Sequence, residues 1–263
     1  MGRRGVDLSG KNALVFAATG AIGGEVARTF AREGARVWLS GRDAAALEKV
    51  ARSVLDDRGE ATIEVVDATD PVAVEAYVGR VVEEAGRIDA VFNAIGLPPV
   101  ELGYPASSVT QDFELFMKPL RIVLGSAFLT SREVAARMVG QEGGGSIVTL
   151  SATLSVMAAP FMANIAAACG AIEAMTRSLA GEFGPSGVRV NCVRGNAMPE
   201  TRTIQETGAG LARISGDAPQ MAPPTLGRPI TVSETAQTAA FLASDASSGM
   251  TGQVVTVSAG AFV

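Results

Sequence analysis

The chain has 263 residues, 48% of them hydrophobic and 19% charged, with a net charge of −5. That length suits one large α/β domain, and an acidic chain without a basic run argues against nucleic acid as a partner. No apolar run reaches the ~18 residues that span a bilayer, the opening MGRRGVDLSGK lacks the apolar stretch of a signal peptide, and the absence of histidine removes the commonest metal ligand and general base.

Strand and helix patterns alternate from the start. NALVFAA is a short apolar run ending at a glycine turn, as a buried parallel strand does. IGGEVARTFAREG follows as an amphipathic helix closed by Gly34. ARVWLS and DAAALEKVARSVLDDRG are the second strand and helix, and ATIEVVD the third strand. The helix DPVAVEAYVGRVVEEAG opens on an Asp cap with proline at its first position. IDAVFNAIG is the fourth strand, and a loop leads to a long helix expected from about Val109 to Met138. GSIVTLSA is the fifth strand, followed by the helix FMANIAAACGAIEAMTRSLAGEFG and the sixth strand VRVNCV. Residues 195–228 show no firm periodicity and are expected to form a lid; a capped helix, TVSETAQTAAFLASD, and a last strand, GQVVTVS, complete the chain. Such alternation implies a parallel sheet covered on both faces. The two cysteines, Cys169 and Cys192, sit in apolar stretches and are expected as buried free thiols.

The first turn carries chemistry. In LVFAATGAIGGEVA, Gly20, Gly23 and Gly24 lie between strand and helix, where backbone must approach a pyrophosphate and the helix start offers free N–H groups. Thr19 is placed to bond a phosphate. The second strand ends LSGRD. An NAD site usually has an acid there; here the position is Gly41, followed by Arg42, whose guanidinium suits a 2′-phosphate. Asp67, after the third strand, is a candidate for the adenine amino group.

With DLSGKNALVFAATGAIGG, GARVWLSGRD, VVDATD, GRIDAVFNAIG, GGSIVTLSA, MTRSLAGEFGPSGVRVNCV and LGRP…FLASDASSGMTGQVVTVSAG in the right order, the chain resembles the short-chain dehydrogenase/reductase family. The resemblance implies a three-layer, doubly wound Rossmann fold with a seven-stranded parallel sheet, in one domain spanning residues 1–263. It implies a nicotinamide dinucleotide, here NADP(H) rather than NAD(H), and a cytoplasmic homodimer or homotetramer. The expected cofactor set is Thr19, Gly20, Ile22, Gly23, Arg42, Asp67, Ala68, Asn93, Ala94 and Gly96. The chain departs from the family where Phe16-Ala17 replaces Thr-Gly, Asn93-Ala94-Ile95-Gly96 replaces Asn-Asn-Ala-Gly, and Gly195-Asn196 replaces Pro-Gly.

The larger departure is catalytic. Family members use Ser, Tyr and Lys, helped by Asn. The tyrosine exchanges the proton, the lysine one turn on lowers its pKa, and the serine polarises the substrate oxygen. The matching positions here hold Ala152, Ile165 and Cys169, with Val123 near the asparagine position. No change of register restores them, because the only tyrosines are Tyr77 and Tyr104 and the only lysines Lys11, Lys49 and Lys118. Ser151, Thr153, Ser155, Tyr104, Lys118, Arg121, Glu200 and Arg202 are the candidate substitutes; capping, solvated faces and an exposed loop tyrosine account for them without catalysis. Two readings follow. One is a silent NADP(H)-binding member acting as a regulatory or structural subunit, alone or beside an active homologue. The other is an unorthodox enzyme: an atypical NADPH-dependent reductase, or a non-redox isomerase, lyase or cyclase.

Overall fold

A computed structural model describes residues 5–215 and 224–261. Seven strands form one parallel sheet: β1 (Asn12–Phe16), β2 (Arg36–Gly41), β3 (Glu60–Val65), β4 (Ala90–Asn93), β5 (Gly145–Ala152), β6 (Val188–Gly195) and β7 (Val254–Val257). Their order is β3-β2-β1-β4-β5-β6-β7. The winding reverses between β1 and β4, and the crevice beyond the carboxyl ends of those strands is where open α/β sheets bind ligands.

Alternate residues of each strand feed opposite layers, as the two-residue period of a strand requires. Val15, Val37, Leu39, Phe92 and Val148 pack with α1 (Ala21–Arg32), α2 (Ala44–Asp56) and α8 (Val232–Ala243). Leu14, Phe16, Trp38, Val91, Ile147 and Val190 pack with α3 (Pro71–Ala85), α5 (Gly125–Met138) and α6 (Ala163–Phe183). Both faces of the central strands are therefore buried, which is why their sequences read as unbroken apolar runs.

Helix starts follow local chemistry. Asp43, Asp70 and Asp112 accept backbone N–H groups at the starts of α2, α3 and α4 (Phe113–Pro119), and Thr231 with Glu234 forms a capping box on α8. The Asp112 cap corrects the expected start near Val109: Ser107 to Gln111 precede the helix. Pro119, lacking an N–H, is followed by a π-helical stretch, Leu120–Leu124, before α5 resumes. The expected irregular segment after β6 contains a helix, α7 (Arg202–Ser215). Its alanines and glycines blur the apolar period, and residues 216–223 of that segment lie outside the described residues. Among the described residues no helix is long and apolar enough to cross a membrane.

Candidate nucleotide cleft and the altered α6 face

The turn after β1 sits at the crevice. Ala17 takes a left-handed conformation, φ 56°, and its carbonyl accepts from Gly20 N at 3.1 Å. A Cβ on Gly23 would lie 2.4 Å from that carbonyl, and one on Gly24 3.2 Å from Ala18 O, whereas Gly20 has room. Gly23 is thus the glycine this turn requires. Helix α1 lacks the capping side chain that α2, α3, α4 and α8 have, and no acid stands in its first turn. Its leading N–H groups, on Ala21, Ile22 and Gly23, are left for a ligand. Exposed Thr19 and Gly20 flank them, while Ile22 is half-buried against the core. This uncapped, acid-free helix start fits a dinucleotide pyrophosphate.

Thr19 packs beside Gly41 at the end of β2, where a Cβ would stand 3.1 Å from Thr19 Cγ2. Arg42 follows, exposed and without an ion-pair partner among the described residues. Asp67 lies close enough to feel its charge. The Asp67 carboxyl sits below the ordinary aspartate range because Thr69 N and Thr69 Oγ1 donate to it, with Arg42 adding attraction. Asp67 therefore closes a turn of its own, and Ala68 beside it is buried in the core. Asn93 is buried too. Its Nδ2 donates to Thr130 Oγ1 at 2.7 Å and its Oδ1 accepts from Ile95 N at 2.9 Å, so it ties β4 to α5 and shapes the turn. Ala94 is half-buried, its N–H bonded to Phe16 O, and Gly96 is exposed.

Helix α6 runs against β5 and β6 through Cys169, Glu173 and Thr176, one turn apart on its inner face. Thr176 Oγ1 meets Thr149 Oγ1 at 2.9 Å. Glu173 Oε1 accepts from Ser151 Oγ at 2.7 Å, Ser155 Oγ at 2.6 Å and Arg194 Nε at 2.9 Å, and Oε2 from Arg194 Nη2 at 2.8 Å. Cys169 lies at the end of β5 against the Ala152 backbone; burial, with the nearby Glu173 charge adding to it, pushes its thiol up to about 11. Both cysteines are buried and free. Ile165 is half-buried one turn before Cys169, and Val123 is half-buried in the π-helical stretch.

The substitutes behave unlike their sequence readings in several places. Tyr104, expected as an exposed loop residue, is 5% exposed, because the short helical turn Pro99–Leu102 folds it inward; its hydroxyl has no partner among the described residues and burial raises its pKa. Ser151 is not a cap but a donor to Glu173, while Ser155 Oγ reaches both Glu173 Oε1 and, across its own turn, Ala152 O at 3.1 Å. Thr153 Oγ1 donates to Asn196 Oδ1 at 2.8 Å. Lys118 donates to Glu101 O, Arg121 pairs with Glu114, Arg202 with Glu206, and Glu200 accepts from Val232 N at the start of α8. Glu173 and Arg194 are the residues that sequence reasoning missed. The one available signal was an acid amid AAACGAIEAM, on the inner face of an otherwise uncharged helix stretch.

A family model described as Enoyl-(Acyl carrier protein) reductase matches residues 17–261. The chain is 31% identical over 258 residues to the peroxisomal 2,4-dienoyl-CoA reductase [(3E)-enoyl-CoA-producing] of Danio rerio, covering 97% of this chain and 83% of that protein. The structure of NAD+-bound xylitol dehydrogenase superposes with a TM-score of 0.89 at 30% identity, covering 96% of this chain and 99% of the other. A gluconate 5-dehydrogenase from Burkholderia cenocepacia J2315, in complex with NADP and tartrate, gives a TM-score of 0.84 at 25% identity over 97% and 96% of the two chains. The fold, the switch-point crevice and these matches over nearly the whole length make the chain a member of the short-chain dehydrogenase/reductase family of oxidoreductases, through the model described as Enoyl-(Acyl carrier protein) reductase.

Proposed function

We propose that this chain binds NADP(H) in the β1/β4 crevice and does not carry out the family's standard proton-coupled hydride transfer. In this reading it is a cytoplasmic single-domain protein, spanning residues 1–263 with 195–228 as its lid, that serves as a regulatory or structural member. The carrying observation is the α6 face. Isoleucine cannot exchange a proton, and a buried thiol with a pKa of about 11 is neutral near pH 7, so Cys169 brings no cation to the ribose or to a phenol. Losing general acid–base help costs about 10²–10⁴-fold in rate.

The uncapped start of α1 supports a pyrophosphate there, with Thr19, Gly20, Ile22 and Gly23 around it. Unpaired Arg42 supports a 2′-phosphate and hence NADP(H) over NAD(H). Asp67, Ala68, Asn93, Ala94 and Gly96 would form the walls. Bound there, the dinucleotide supplies hydride-transfer capacity; the chain's own residues supply binding and orientation. Relatives whose names specify NAD+ and NADP span both choices, so Arg42 decides. Titration of NADPH and NADH into the wild-type protein and Arg42→Ala tests this. Tighter NADPH binding that falls about tenfold or more in the variant, with NADH unchanged, is the expected result; equal binding of both dinucleotides by both proteins contradicts it.

A homodimer or homotetramer, or pairing with an active homologue, is supported by the outer face of α5, where Phe128 and, just past the helix end, Val139 are exposed. A second reading, an unorthodox NADPH-dependent reductase or non-redox enzyme, is favoured by one observation. The turn after β5 keeps a built polar edge, Thr153 with Asn196, where an apolar surface would serve a purely structural protein.

A further inference from the structure

β5 and β6 end side by side, with Ala152 opposite Gly195. The residues that follow meet: the Thr153 hydroxyl donates to Asn196 Oδ1 at 2.8 Å, and Asn196 N donates to Val257 O at 2.9 Å. Both hydrogens of Asn196 Nδ2 are left without an acceptor among the described residues, and the half-buried side chain keeps that nitrogen within reach of solvent. The turn is also held from its other side. Ser151 and Ser155, two residues before and after Thr153, both donate to Glu173, and Arg194, two residues before Asn196, clamps the same carboxylate. The amide is thus fixed in backbone and side chain before any ligand arrives, the preorganisation that gives a donor its value.

We propose that Asn196 is a ligand-recognition residue, whose Nδ2 donates to an uncharged carbonyl oxygen at the carboxyl ends of β5 and β6. Its acceptor atom is already used by Thr153, so it offers only donors. Arg194, two residues before it, is neutralised by Glu173, so that cation does not favour an anion over a neutral acceptor. An amide can orient and polarise a carbonyl but cannot protonate it, which Ala152 and Ile165 do not do either. Two sources share this chemistry: the carboxamide of a bound nicotinamide, which rests on the cleft reading above, and a ketone or enone ligand, which does not.

The test follows the Asn196 side-chain amide pair in ¹H–¹⁵N spectra, assigned by its loss in Asn196→Gly, a variant that places the family's residue at this position. The probes are NADPH, 2′-phospho-ADP-ribose, which lacks nicotinamide, and 2-cyclohexenone. A shift with NADPH but not with 2′-phospho-ADP-ribose assigns the carboxamide; a shift with 2-cyclohexenone assigns a second ligand. Either is expected with a five- to tenfold weaker affinity of Asn196→Gly for that probe, and a smaller loss in Thr153→Val. Failure of 2′-phospho-ADP-ribose to bind at all sinks the dinucleotide reading, and the enone arm on the free protein then decides alone. The proposal is overturned when neither NADPH nor 2-cyclohexenone moves the resonance and Asn196→Gly binds both as the wild type does.

Discussion

Glu173 and Arg194 meet as a two-point ion pair, Nε to Oε1 at 2.9 Å and Nη2 to Oε2 at 2.8 Å, with side chains 7% and 17% exposed. The pair spans α6 and β6, and through Ser151 and Ser155 it also holds β5 and the turn beyond it. Removing one member strands the other: Glu173→Ala is expected to cost about 3–5 kcal/mol in urea unfolding, and a Glu173→Leu/Arg194→Met double variant much less than either single change.

The same carboxylate sets a pH dependence. Burial alone would raise the Glu173 pKa, but the bonds from Arg194, Ser155 and Ser151 together outweigh it and hold the group below the ordinary glutamate range. A depressed folded-state pKa adds stability that is present above the unfolded value of about 4.3 and disappears as pH falls through the folded value. The stability gap between wild type and Glu173→Gln is therefore expected to be constant from pH 6 to 8 and to shrink below about pH 4. A gap that widens in acid contradicts this.

Ala17 sits where the backbone favours glycine, at φ 56°. Ala17→Gly is expected to stabilise the protein by about 1 kcal/mol, the relief of a left-handed alanine less the added freedom of the unfolded chain. It should also tighten NADPH by removing a Cβ from the phosphate turn. Gly23→Ala is expected to do the opposite, costing about 1–3 kcal/mol, because its Cβ meets the Ala17 carbonyl at 2.4 Å. Thermal melts of both variants check the pair of signs.

Cys169 should be chemically inert. With its thiol pushed up to about 11, the folded protein holds roughly two-hundredfold less thiolate at pH 8 than a free cysteine of pKa near 8.5. Burial slows attack further. Alkylation by iodoacetamide, read by peptide mass, is expected to be at least about a hundredfold slower in the folded than in the urea-unfolded chain. Rapid labelling of the folded protein would mark an activated thiol instead.

Most of the scaffold was legible because it is local. Apolar runs of strand length, Asp and Thr caps, and glycine turns each act within a few residues, and β5 matches its sequence bounds, GSIVTLSA. The vacancy on α6 was legible too, since it rests on which residues are present. What escaped depends on distant partners. Glu173 reads as an ordinary helix acid until Ser151 and Arg194, 22 and 21 residues away, are brought to it. Tyr104 reads as exposed until the turn Pro99–Leu102 folds it inward, and the π-helical stretch after Pro119 has no periodic signature.

The most direct measurement of the central claim is NADPH oxidation with cyclohexanone and acetophenone by the wild type and by an Ala152→Ser/Ile165→Tyr/Cys169→Lys variant, each saturated with NADPH. The expected result is a wild type at the no-protein background and a variant at least about 10²-fold faster. Robust turnover by the wild type, unimproved in the variant, would contradict the account.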